Sequence, residues 1–159
     1  LTFNRIDLII TIVKNIIEEV ASKQKEYAEK RGLSFGLNIS AGDYSMRGDA
    51  VQLGEAVKNL IDNSINYTES GSINVSLESN DSSVKLVVKD TGIGIVPEDK
   101  DKLFKSGGRG ADSLKININS TGYGLAFVKG VVDAHKGKVW FESEGKGKGS
   151  IFFIELPKK

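Results

Sequence analysis

The sequence predicts an α+β fold, a two-layer sandwich in which one mixed sheet of about five strands carries three helices on one face. Two observations lead there. Segments with helical spacing of apolar residues alternate irregularly with segments of strict in-out alternation, whereas a doubly wound parallel sheet needs a regular succession of strand and helix. The chain has 159 residues, 39% hydrophobic and 27% charged, which suits one compact domain with a sizeable core, so residues 1–159 are read as a single domain.

Ile6, Ile9, Ile10, Val13, Ile16, Ile17 and Val20 recur at steps of three and four, which predicts a helix over about 7–31 with one buried face. Asn4 and Asp7 resemble a cap with an acidic first turn, and Lys30, Arg31 and Gly32 make a basic last turn with a glycine stop. In LSFGLNI, Leu33, Phe35, Leu37 and Ile39 share one side of a half-buried strand. A turn over 41–43 and an extended piece over 44–47 follow. A second helix over about 49–67 buries Leu53, Val57, Leu60, Ile61 and Ser64. SINVSLES and SVKLVVKD form a hairpin about Asn80 and Asp81. Gly92, Gly94 and Pro97 then break the chain, a short helix covers 98–104, and the stretch over about 105–121 lacks periodicity and is read as a mobile loop. A third helix over about 123–134 precedes two closing strands, KVWFESE and SIFFIEL, joined by a turn rich in glycine and lysine. Trp140 and the phenylalanines of these strands are read as core.

Twenty-two basic residues against twenty-one acidic ones, a formal charge of +1, point to no nucleic-acid partner and no membrane contact by a broad electrostatic field. The absence of cysteine excludes disulfides and thiolate metal sites and fits a cytoplasmic setting. No apolar stretch approaches the roughly 20 residues needed to span a bilayer. The chain opens at Leu1 in a segment already patterned for structure, as an excised piece of a longer protein would.

Chemistry concentrates at three places. Glu55, Asn59, Asn63, Asn66 and Tyr67 share a second face of the second helix, where asparagine is a poor helix former because its amide competes for backbone hydrogen bonds. A solvated polar face is the plain explanation. The sharper one is that Asn63 offers an amide oxygen to Mg²⁺, which keeps most of its waters and takes few protein ligands beside phosphates, while Tyr67 flanks a base. Asp90 ends a strand ahead of Gly92 and Gly94; these glycines suit a tight turn, and a carboxylate there also suits the amine of adenine and repels the carbonyl of guanine. Thr121, Gly122 and Gly124 precede the third helix, whose free N–H groups and dipole favour phosphate, although a glycine-containing cap explains them equally. Lys105, Arg109 and Lys115 lie in the intervening loop, within reach of phosphates or simply solvated. His135, the only histidine, reads as a cation favoured at a helix C-terminus.

In this order and spacing, the pieces resemble the histidine-kinase ATP-binding domain of the GHKL superfamily, with its Bergerat fold. NLIDNSINYT resembles the N box, DTGIGI the first glycine box, Leu103 and Phe104 a remnant of the F box, and STGYGLAFVK the second glycine box; the segment from AHKG to the final IELP resembles the closing strands. The resemblance implies ATP and Mg²⁺ as cofactors, with Asn63 holding the metal and Asn59 close to the phosphates as the catalytic pair. It implies that Asp90 binds the adenine amine, that Gly92, Gly94, Ile95, Gly122, Gly124 and Leu125 shape the pocket, and that 105–121 is a flexible ATP lid. The function implied is donation of the γ-phosphate to a histidine on separate dimerisation helices of the same parent protein, membrane-anchored or not, with a response regulator downstream. A GHKL-type ATPase and a non-catalytic adenine-nucleotide module are the alternatives.

The hydrolytic branches of that superfamily resemble one another in a glutamate four residues before the metal-binding asparagine. Here that position is Asn59, and an amide is no general base. Glu55 lies two turns from Asn63. Asn66 stands where many members carry a basic residue, so that one phosphate contact is either missing or replaced by Lys105 or Arg109, and KSGGRGADS replaces the usual continuation of the F box.

Overall fold

The structure, a computed structural model, describes residues 9–105 and 123–158. Its elements are β1 (Ile9–Ile12), α1 (Val13–Lys30), β2 (Ser34–Ile39), β3 (Ser45–Gly48), α2 (Ala50–Asn66), β4 (Ser72–Ser79), β5 (Ser83–Asp90), a 3-10 turn (Pro97–Asp99), α3 (Tyr123–Ala134), β6 (Lys138–Glu142) and β7 (Ser150–Pro157). A five-stranded sheet runs β2-β4-β5-β7-β6; β2 lies parallel to β4 and the other pairs are antiparallel. The three helices pack on one face of it, with α2 in contact with both α1 and α3. The two-layer mixed sandwich is thus as expected.

Alternation decides the faces. Ile73, Val75 and Leu77 of β4, Val84, Leu86 and Val88 of β5, and Phe152, Ile154 and Leu156 of β7 turn inward against Leu60, Ile61 and Ile65 of α2, all of them buried. Each such side chain contributes about 1.5–3 kcal/mol relative to exposure. Helix α2 starts where Asp49, in extended conformation, accepts a hydrogen bond from the Gln52 N–H at 3.0 Å. It ends at Tyr67, so the asparagine face runs toward the end of β5.

Three expectations are corrected. Residues Ile9–Ile12 form a strand paired with Ser45–Gly48 in a separate two-stranded ribbon, and the first helix begins only at Val13. Apart from Thr11, the run from Ile9 to Val13 is aliphatic and β-branched, and such residues pack well in a strand when a partner is offered; the cap expected at Asn4 lies outside the described residues. Trp140 and Phe153 are not core: they stack at 4.9 Å on the sheet face away from the helices, with Lys85 Nζ 5.7 and 5.3 Å from their ring centroids. Only Phe141 and Phe152 face inward, where Phe104 joins them. His135 is not a cap cation. Its Nε2 accepts from the Asp49 N–H at 2.9 Å and its Nδ1 lies 2.8 Å from the Val131 carbonyl, a pattern that the neutral Nδ1–H tautomer satisfies.

Candidate functional site

The asparagine face of α2 is sorted by its neighbours. Asn63, 6% exposed, makes no side-chain hydrogen bond among the described residues. Asn59 Nδ2 donates to the Glu55 carbonyl at 3.0 Å, which leaves its oxygen available. Both amides face the start of α3: a Cβ at Gly124 would stand 3.5 Å from Asn63 Nδ2 and 3.6 Å from Asn59 Oδ1. Asn66 is turned elsewhere, since its oxygen accepts from the Tyr27 hydroxyl of α1 at 2.6 Å. Tyr67 is half-buried and caps α2. Glu55 is exposed and lines a surface groove between α1 and α2 with Ile16 and Lys23.

Asp90, 3% exposed, ends β5 beside this face. Its Oδ1 accepts from the N–H groups of Gly92 at 2.9 Å and Ser150 at 3.2 Å, and its Oδ2 from the Ser150 hydroxyl at 2.8 Å. Ser64 Oγ also faces this carboxylate, though it makes no hydrogen bond of good geometry. Burial pushes the Asp90 carboxyl above its ordinary range, and the bonds from Gly92 and Ser150 oppose that rise only in part. A carboxylate has about four acceptor positions. Among the described residues three are used by bonds of good geometry, which leaves one on Oδ2 able to take a further donor. Ser64 and Ser150 were missed as site residues, because neither sits in a recognisable pattern until α2, β5 and β7 converge.

The glycines before the 3-10 turn are required by close approach. A Cβ at Gly92 would come 2.4 Å from the Tyr67 carbonyl, and Gly94, at φ +74°, would place one 2.0 Å from the Gly145 carbonyl. The β6–β7 turn therefore presses on this loop: the Gly147 N–H donates to Ile93 at 2.6 Å and the Gly149 N–H to Gly92 at 3.1 Å. Ile95 is buried, and its N–H donates to Ser143 Oγ at 3.0 Å. Leu125 is buried in the first turn of α3. Asn59, Asn63, Ser64, Asp90, Gly92 and Gly124 thus come together where α2, β5 and α3 meet. Lys105 is exposed at the end of a described segment; Arg109, Thr121, Gly122 and most of the expected lid lie outside the described residues.

A buried amide and a half-buried one on a helix, a strand-end carboxylate and a glycine-built helix start meet where the resemblance to a GHKL domain expects them. The comparisons agree. Residues 48–159 match the family described as histidine kinase-, DNA gyrase B- and HSP90-like ATPase, and the chain belongs to that family. It is 31% identical over 146 residues to the sensor histidine kinase RppB of Synechocystis sp., covering 91% of this chain and 32% of RppB. Against the sensor-like histidine kinase SenX3 of Mycolicibacterium smegmatis it is 31% identical, covering 95% of this chain and 39% of SenX3. The chain therefore spans about a third of the length of such relatives. The catalytic domain of histidine kinase ThkA superposes with a TM-score of 0.82 at 26% identity, covering 96% of this chain and 99% of that one. ThkA in complex with the response regulator TrrA matches with a TM-score of 0.75 at 24% identity, covering 96% of this chain and 42% of that one. This is a histidine-kinase ATPase domain of the two-component sensor type. No helix among the described residues is long and apolar enough to cross a membrane.

Proposed function

We propose that this domain binds Mg-ATP at the Asp90–Asn63 site and donates the γ-phosphate to a histidine on separate dimerisation helices of the same parent protein. The observation that carries this is the buried Asp90 carboxylate, whose spare Oδ2 position suits one N–H donor such as the amine of adenine. A guanine carbonyl there would face a like-charged acceptor and leave the carboxylate unpaired. The residues fit a magnesium ion as well: Asn63 offers a neutral, hard oxygen, buried and without a hydrogen-bond partner among the described residues, beside the glycine start of α3. When bound, the ion would supply positive charge that offsets the charge of the phosphates during transfer.

The chain's own residues orient the substrate. Asp90 fixes the purine, the N–H groups opening α3 favour phosphate, and Asn59 adds an amide on the same side. Asn59 cannot take a proton from water, and Glu55 points into the groove beside α1, so the described residues of the site offer no general base for hydrolysis. A histidine brought in by the dimerisation helices would attack phosphorus as its bond to the ADP oxygen breaks, and ADP would leave. Tyr67, Ile95, Lys105, Arg109, Thr121, Gly122, Gly124 and Leu125 are assigned to the nucleotide pocket and to a lid over about 105–121, whereas Asn66, held by Tyr27, is not. We place the domain in the cytoplasm, where ATP is available, with a response regulator as the downstream acceptor; ThkA, observed with TrrA, supports that partnership.

The test is thermal. Mg-ADP at one hundred times its Kd is expected to stabilise the domain by about 2.7 kcal/mol, and Asn63→Ala and Asp90→Ala to remove most of that shift. A full shift in both variants would refute the assignment. Steady-state hydrolysis by the isolated domain should be slow, and histidine labelling should appear once the helical domain is added in trans. Brisk turnover alone would favour an ATPase.

A further inference from the structure

We infer that Ser143 is a positioning residue for purine recognition: its hydroxyl clamps the β6–β7 turn to the glycine loop and so holds the two backbone amides that orient Asp90. This rests on the nucleotide reading of the Asp90 site. Ser143 lies just past the end of β6 and has no counterpart among the motifs of the sequence.

The clamp is built from three hydrogen bonds to one oxygen. Ser143 Oγ accepts from the Ile95 N–H at 3.0 Å and from the Gly145 N–H at 3.2 Å, and donates to the Gly149 carbonyl at 2.7 Å. A hydroxyl has one proton and two acceptor positions, so the group is saturated. Its partners lie in the same two loops as the residues that hold Asp90. Gly149 precedes Ser150, whose N–H and hydroxyl both bond the carboxylate, and the loop ending at Ile95 begins at Gly92, whose N–H bonds Oδ1. The Gly149 N–H also donates to the Gly92 carbonyl at 3.1 Å, which closes a ring of bonds around the carboxylate's support.

The fit is close. A Cβ at Gly94 would stand 3.2 Å from Ser143 Oγ, and one at Gly149, 2.3 Å from the Asp90 carbonyl. Only bare backbone fits between the two loops. The Ser143 hydroxyl adds a side-chain tie to the backbone bonds of Gly147 and Gly149, and Ser143→Ala would remove that tie while leaving those backbone bonds in place.

The experiment measures the affinity of the domain for Mg-ADP and for Mg-pyrophosphate, well below the melting temperature of each variant. Ser143→Ala is expected to weaken Mg-ADP about tenfold, the scale of one net hydrogen bond, and to leave Mg-pyrophosphate unchanged. Ser143→Thr, which keeps the hydroxyl, is expected to restore Mg-ADP binding. Without nucleotide, hydrogen exchange at the Ile95 N–H should accelerate in Ser143→Ala and not in Ser143→Thr. Wild-type affinity for Mg-ADP in Ser143→Ala, equal losses for both ligands, or failure of Ser143→Thr to restore binding would each overturn the inference. If the wild-type domain itself ignores Mg-ADP, the nucleotide reading falls and purine positioning with it, whereas the Ile95 exchange rates still report whether the clamp exists.

Discussion

Replacing Asp90 by Asn keeps every protein contact of that side chain and removes only its charge. Oδ1 can still accept from Gly92 and Ser150, and the new amide can donate to the Ser150 hydroxyl, reversing that one bond. What disappears is the cost of holding a carboxylate at 3% exposure, offset by three bonds that cease to be charge-assisted. We expect a net gain of about 1–2 kcal/mol for the unliganded domain at neutral pH, or roughly 2–8 °C in melting temperature. Binding moves the other way. The amide nitrogen now faces the ligand's amine, donor against donor, and the lost charged bond alone costs about 1.5–3 kcal/mol, roughly ten- to hundredfold in Kd. The pH dependence has a definite sign. The folded-state value of Asp90 lies above its unfolded one, so its protonated form favours the fold below the unfolded value, and that advantage is lost as pH rises through the folded value. The melting-temperature gap between Asp90→Asn and wild type should thus widen from acid toward neutral pH. Thermal melts across that range, with and without Mg-ADP, decide it. A destabilised Asp90→Asn variant, or one with an undiminished Mg-ADP shift, would refute the reasoning.

Asn63→Ala should leave the melting temperature of the free domain nearly unchanged, because its amide bonds to nothing in the described protein, and should abolish the magnesium-dependent part of ADP affinity in titration calorimetry. In Gly94→Ala, a φ of +74° and a methyl 2.0 Å from the Gly145 carbonyl should cost more than about 2 kcal/mol and displace the β6–β7 turn, both visible in denaturant titration and backbone amide spectra. His135→Leu should lose about 1–3 kcal/mol by orphaning the Asp49 N–H, a loss measurable by urea unfolding.

Much of this arrangement is legible in the amino-acid order because the controlling signals are local. The stripe from Leu53 to Ser64, the alternation in β4 and β5, and the glycines at the start of α3 each announce their role within a few residues. Strand β1 is not legible, since steps of three and four among isoleucines suit a helix until Ser45–Gly48, more than thirty residues on, supplies a partner. The adjacent aromatics of β7 had to part to opposite faces by alternation, yet which of them faces the helices depends on register. Within the site, Asn63 and Asp90 stand out by chemistry and place. Ser64, Ser143 and Ser150 do not, because a serine acquires meaning only from what three separate elements bring to its hydroxyl.

The pin at His135 has a mechanical consequence. Helices α2 and α3 are fastened at one end, where His135 meets Asp49, and bear the groups proposed to bind nucleotide at the other, where Asn63 and Asn59 meet Gly124. They work like the legs of a pair of compasses. Twelve residues of α3 make a leg of about 18 Å, so a tilt of roughly 5° at the pivot sweeps its tip by about 1.6 Å. Misplacements of about 1 Å can cost a catalytic site roughly a hundredfold in rate. Substitutions at the pivot should therefore be felt at the tip, although none of the pivot's atoms touches it.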